Sequence, residues 1–158
     1  MRTRPRATLS EIEAVYRERF SEFRRVAAAI IGDRDAALDV VQDAFGTAIR
    51  RRKTFRGDGP LEAWIWRVVV NTASDHRRPV PTTAAPAPQN GHDEDSGALS
   101  VAISLLPERQ RLALFLRYYA DLDYNSIADA LGVKPGTVAA SLNAAHTALR
   151  RALPEVPR

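Results

Sequence analysis

Trp64, Arg67, Asn71, Asp75 and Arg78 recur every three or four residues. On a helix that spacing puts an indole, two guanidiniums, an amide and a carboxylate on one stripe. Such groups can stack on unpaired bases and pair with phosphates. The same residues also fit a plainer reading, with Trp64 and Trp66 in a core and Asp75–Arg78 a surface ion pair worth little. The residues alone leave both open.

A second constellation lies near the C-terminus. Asp123 can cap a short helix carrying Ile127, Ala128 and Leu131; Gly132 supplies a turn, and Pro135 opens a last helix with Val138, Leu142, Ala145 and Leu149 inward. A small residue, a turn glycine and an apolar residue at these intervals make a helix-turn-helix, whose second helix can enter a major groove. Its outer face would present Lys134, Thr137, Ala140, Ser141, Asn143, Ala144 and His146. Asn143 can address an adenine edge and Thr137 a phosphate or thymine methyl. This face is poor in arginine, so neutralising a DNA backbone falls to Lys134, Arg117, Arg150 and Arg151, and weak duplex affinity is expected from this unit alone. A helical hairpin that binds no DNA is the competing interpretation.

A third group, Asp39, Gln42, Asp43 and Phe45, mixes polar and apolar side chains on one helix. It reads as a solvated face or as a docking surface for a basic or helical partner. The run Arg50-Arg-Arg-Lys53 closes that helix, where cations favour the dipole. Catalysis finds no support. His76, His92 and His146 lack metal-ligand spacing, and neither a glycine-rich phosphate loop nor a nucleophile elbow occurs. No enzyme activity, metal or cofactor is expected.

These groups need helices to position them, and the apolar spacing supplies helices throughout. Ile12, Val15, Phe20, Phe23, Val26, Ala27 and Ile30 form one stripe, opened by a capping box of Ser10 and Glu13 and closed by Gly32. Asp33 or Asp35 caps a second helix carrying Leu38, Val41, Phe45, Ala48 and Ile49, with Gly46 inside it. Pro60 starts a third, with Leu61, Ile65, Val68, Val69 and Thr72 inward. Leu99, Ile103 and Leu106 mark a short helix; Pro107 begins another with Leu112, Phe115, Leu116 and Tyr119 inward. Between the blocks, residues 79–98 hold four prolines among alanines and end in an acidic cluster, a composition that reads as an extended tether. The expected fold is all-α: a helical domain over 8–78, a flexible Pro/Ala-rich linker over 79–98, and a second domain over 99–153 that contains the helix-turn-helix.

Composition agrees with this. In 158 residues there is room for one compact domain or two small ones, the latter near the lower limit for independent cores. Cysteine is absent, which excludes disulfides, thiolate zinc sites and cysteine nucleophiles. No apolar run approaches a membrane span or signal peptide, so a cytoplasmic protein with no membrane partner is expected. The net charge is +4, and the excess sits mainly in residues 1–78, where 16 basic side chains face 11 acidic ones. A polyanion partner suits that balance, and so does plain solubility.

The motifs resemble those of the bacterial extracytoplasmic-function sigma factors of RNA polymerase. Ala37-Leu-Asp-Val-Val-Gln-Asp-Ala-Phe45 is similar to the family's polymerase-docking helix of region 2. The segment from Phe55 through Trp64-Ile-Trp-Arg to Arg78 resembles the part that melts and holds the −10 promoter element. Leu106-Pro-Glu-Arg-Gln-Arg111 with the helix-turn-helix resembles region 4, which reads the −35 element. The resemblance implies that Asp39, Gln42, Asp43 and Phe45 contact core polymerase. It implies that Asn71 holds a flipped-out base of the non-template strand, bordered by Trp64, Arg67, Asp75, Arg77 and Arg78. It places Lys134, Thr137, Ala140, Ser141 and Asn143 toward the −35 groove, runs the linker toward the RNA exit channel with Asp93-Glu-Asp95 mimicking nucleic acid, and leaves room for an anti-sigma factor. Departures stand at Leu38, Gly46 and Thr47, and on the last helix at Ala139, Ser141, Asn143 and His146, where the family carries basic residues. Two other functions fit the same residues: a helix-turn-helix regulator acting without polymerase, and a degenerate sigma-like interaction protein.

Overall fold

The computed structural model describes residues 7–77 and 94–153. Among them all long regular segments are helices: α1 (Leu9–Ile31), α2 (Arg34–Arg50), α3 (Leu61–His76), α4 (Glu94–Ser104), α5 (Glu108–Tyr118), α6 (Tyr124–Leu131) and α7 (Pro135–Ala152), with a single 3-10 turn at Arg52–Thr54. The two helical blocks are as expected, α1–α3 in front and α4–α7 behind.

Several boundaries differ from the sequence expectation. The capping box of α1 belongs to Thr8 and Glu11, not Ser10 and Glu13: the Glu11 N–H donates to Thr8 Oγ1 at 3.2 Å and the Thr8 N–H donates to Glu11 Oε2 at 3.3 Å. Both pairs have the same spacing, and starting at Leu9 lets the buried Ala7 join the core. Asp33 caps α2, accepting from the N–H groups of Asp35 and Ala36. Helix α4 starts at Glu94, inside the stretch expected as linker; the rest of that stretch and Asp93 lie outside the described residues. Thr72 is only half-buried, because its hydroxyl donates to the Val68 carbonyl one turn back. Tyr119, expected inward, is 44% exposed and stacks on Phe115 at 5.7 Å.

The front block closes around aromatic rings. Trp66 and Phe23 are fully buried with centroids 4.2 Å apart, and Phe45 meets Phe23 at 5.2 Å and Tyr16 at 4.8 Å edge-on. Burying one such ring stabilises the fold by roughly 2–3 kcal/mol. The Trp66 Nε1–H lies in this core without an acceptor, a cost that the packing outweighs. The rear block is built from smaller pieces. Ala113, Ala120, Ala128, Ala130 and Ala145 are buried among Leu112, Leu116, Ile127, Val138 and Leu142. Arg111, the last residue of the Leu106–Arg111 motif, is buried as well: its Nη1 donates to the carbonyls of Leu106 at 3.1 Å and Ser104 at 3.4 Å, pinning the turn between α4 and α5. The blocks share one continuous core, because α3 packs against α6 and α1 touches α5.

Candidate nucleic-acid interface

Helix α2 turns Val40, Val41, Ala44 and Phe45 inward and leaves Asp39, Gln42 and Asp43 exposed on one face. Three of the four residues expected to dock are therefore together at the surface. Phe45 is not: it is 5% exposed, held between Tyr16 and Phe23. Its place two residues after Asp43 rotates it away from that carboxylate by about 200°. Phe45 supports the face from below and offers a partner no contact area.

Asp43 also reaches α3. Its Oδ2 lies 3.4 Å from His76 Nε2, which ties the α2 face to the C-terminal end of α3. On α3, burial of Ala63, Ile65, Trp66, Val69, Val70 and Ala73 leaves Arg67, Asn71 and Asp75 exposed in one row. Trp64 heads this row but is half-buried, with its ring 5.6 Å from that of Phe55. Arg77 is half-buried at the helix end, and Arg78 lies outside the described residues. Trp66 is core and takes no part. The stripe read from the sequence is thus present from Trp64 to Asp75, and the two tryptophans divide between surface and core.

Part of this row is occupied by the rear block. A Cβ at Gly132 would collide with the Arg67 guanidinium, and one at Gly59 would sit 3.4 Å from the Asp129 carboxylate. The helix-turn-helix turn, with Gly132 at φ 68, thus lies directly against α3. Only glycine combines that left-handed angle with so close a neighbour.

The turn itself forms as the sequence implies. Asp123 accepts from the Ser126 N–H at 2.7 Å and caps α6. That bond, a second one from the Ser126 side chain and the nearby Arg117 charge hold its carboxyl below the usual value, against a small opposing effect of burial. Lys134 is the N-cap residue of α7 and Pro135 its first residue. Val138, Leu142 and Ala145 face inward; Lys134, Ala140, Asn143 and Ala144 are exposed, and Thr137 and Ser141 half-exposed. All five residues assigned to this face therefore reach the surface.

Beside that face is a cleft of about 310 Å³ between the end of α5, the start of α6 and the flank of α7. Arg117, Tyr118, Tyr124, Asn143, His146 and Arg150 line it. The Tyr118 hydroxyl and His146 Nε2 share a hydrogen bond of 3.0 Å. Tyr118 and Tyr124 were absent from the sequence reading. Their signal was two tyrosines flanking the Asp121–Asp123 turn at positions that the apolar stripe does not require.

Among the described residues no group of His, Asp and Glu could hold a metal ion, and no helix is long and apolar enough to cross a membrane. Comparison with known proteins matches residues 15–79 to Sigma-70 region 2 and residues 96–155 to Sigma-70 region 4. The chain is 33% identical to the RNA polymerase sigma-H factor of Pseudomonas aeruginosa over 146 residues, covering 78% of this chain and 76% of that protein. It is 33% identical to the ECF RNA polymerase sigma-E factor of Escherichia coli over 135 residues, 70% of each chain. Among solved structures, CnrH in complex with the cytosolic domain of CnrY superposes with a TM-score of 0.71 at 19% identity, covering 92% of this chain and 88% of that one. The sigma factor RpoE in complex with the anti-sigma factor NepR from Bartonella quintana gives 0.62 at 22%, covering 90% and 94%. These two share the fold. With both regions matched in order and the relatives covered over most of their length, the chain belongs to the extracytoplasmic-function sigma factors of bacterial RNA polymerase.

Proposed function

We propose that this sigma factor docks on core RNA polymerase through Asp39, Gln42 and Asp43 and takes up the non-template strand of the −10 element along Arg67, Asn71 and Asp75. The single observation that carries this reading is that two separate exposed rows stand on adjacent helices of one aromatic-cored block, joined at Asp43–His76. Neither row needs the other to move, so polymerase and strand can be held together.

The chemistry follows from the groups available. Opening duplex costs a few kcal/mol per base extruded, and part of this is recovered when the freed base meets an amide and a flat ring. Asn71 supplies the amide; Trp64 and Phe55 supply the rings at the head of the row. Arg67 and the half-buried Arg77 supply positive charge for the strand's phosphates. Each contact is weak alone; docking raises its effective concentration by tethering. The chain makes and breaks no covalent bond in this scheme and acts in the cytoplasm with the polymerase. An anti-sigma factor would be a third partner, competing for these rows.

Run-off transcription with purified core polymerase tests this. The expected result is a promoter-specific transcript that depends on the chain. A chain that neither associates with core in a pull-down nor yields a transcript overturns the reading. Duplex binding by the isolated chain as a dimer, independent of polymerase, would replace it with a regulator.

A further inference from the structure

The run Arg50-Arg-Arg-Lys53 ends α2, and its cations do not share one environment. Arg52 is half-buried and donates Nη1 to the Ile49 carbonyl at 2.7 Å, so it closes the helix. Arg50 is exposed. It follows Asp39 by eleven residues and Asp43 by seven, which at about 100° per residue puts it within about 20° of both. Gly46 falls on the same line. Asp39, Asp43, Gly46 and Arg50 thus make one row along α2, about 16 Å long.

The Arg50 guanidinium is held in that row. Its Nη2 donates to Thr47 Oγ1 at 3.0 Å, which folds the side chain back along α2. A Cβ at Gly46 would lie 3.4 Å from Arg50 Nη1, so the guanidinium sits beside the space that the missing side chain leaves. Gly46 has no left-handed backbone angle to require glycine, and glycine weakens a helix relative to alanine. Gly46 and Thr47 are also two of the places where the chain departs from the family's motif. Together they leave room for one cation and supply its acceptor. Among the described residues no carboxylate pairs with Arg50. The row therefore carries two carboxylates at one end and an unspent cation at the other. A phosphate backbone laid along it would be repelled by Asp39 and Asp43, whereas a protein segment can offer the opposite charge to each end.

We propose that Arg50, seated by Thr47 beside Gly46, extends the polymerase-docking face and takes a carboxylate on the same segment of core polymerase whose cations meet Asp39 and Asp43. This rests on the docking reading above and deepens it by naming the partner's charge pattern: cations, then a carboxylate about 10 Å further along, the rise of seven helical residues. Charges of both signs in one row fix the register of the partner, because a shifted or reversed segment would set like charges together. Thr47 acts as a positioning residue, through Arg50.

The test titrates the full-length chain against core polymerase without DNA, with circular dichroism on every variant. Arg50→Glu is expected to weaken binding about tenfold, and Arg50→Gln, which removes the charge without reversing it, by a smaller factor. Arg51→Glu makes the same charge change at the same helix end, but Arg51 is turned about 100° off the row. Its affinity should stay within about twofold of the unaltered chain. Thr47→Val removes the acceptor at nearly constant shape and should cost about threefold, restored by Thr47→Ser. Affinity of both Arg50 variants within about twofold of the unaltered chain overturns the inference, as does an equal loss in Arg51→Glu. A loss seen only when the assembled complex binds an open template also overturns it, and assigns the run to phosphates instead. Full affinity in Thr47→Val overturns the seating of Arg50. Asp43→Arg is measured alongside. If it weakens binding and Arg50→Glu does not, the docking reading stands and Arg50 is no part of the face. If the unaltered chain fails to bind core, the docking reading itself falls.

Discussion

The two blocks solve the same problem, stacking short helices, with different materials. In front, Phe23, Phe45, Trp66 and Tyr16 fill the space between α1, α2 and α3, and the surfaces above them carry long polar groups. Behind, alanines let α5, α6 and α7 approach closely, and alanines recur on the outer face of α7. The first block exposes an amide, Asn71, and a guanidinium, Arg67, in one row. The second sets Lys134 and Asn143 among small alanines on α7, with Arg117 and Arg150 lining the cleft at its flank. If both faces meet DNA as proposed, surfaces that differ this much need not divide specificity equally between them.

The largest expected effect separates the cores. Trp66→Ala should destabilise the protein by about 3–5 kcal/mol, because the aromatic cluster cannot collapse onto so large a void. Ala128→Leu tests the opposite failure behind, where added volume between close helices should cost about 1–3 kcal/mol. Urea unfolding measures both; equal tolerance of the two would erase the contrast. On the surface, Asp43→Arg should lower affinity for core polymerase about tenfold with unchanged circular dichroism, as expected of a reversed charge at an interface. Asn71→Ala should instead slow open-complex formation several-fold, up to about tenfold, with core affinity within twofold. Pull-down and permanganate footprinting of the same variants keep these apart, and parallel loss of both activities would merge the two faces into one.

The smallest effect concerns the cap of α6. Folding lowers the Asp123 carboxyl below its ordinary value, so its contribution is full above the unfolded value. It fades as pH falls through the lower folded value, where the proton displaces the Ser126 N–H. Asp123→Ala should therefore reduce the melting temperature slightly at neutral pH, and the difference from the unaltered chain should vanish in strong acid. A constant difference down to the most acidic point would show that the cap works through backbone geometry.

The helices were legible because their signals are local. Asp33, Asp123, Gly32, Gly132 and Pro135 stand where end effects require them, and apolar spacing marks the inner faces. The α1 cap was misread because Thr8–Glu11 and Ser10–Glu13 satisfy the same pattern and only the packing of Ala7 decides between them. Phe45 belongs to the apolar stripe of α2 by its spacing and to the docking group only by resemblance; Tyr16 and Phe23 of α1 hold it in the core, which the spacing alone does not weigh against the resemblance. The cleft was invisible for the same reason: Arg117, Tyr124 and Arg150 come from three helices, and no spacing along the chain brings them together.

The contact at Gly132 has one more consequence. A single guanidinium, that of Arg67, lies under the turn of the rear block and also stands in the row available to a DNA strand. It cannot serve both tenants. If a strand runs the length of α3 as proposed, it must first displace the turn after α6, and the affinity of the intact chain would be the intrinsic one reduced by the fraction of molecules already parted. Whatever holds the halves asunder, as two distant anchor points on a large enzyme would, raises that fraction without adding a single contact to the strand.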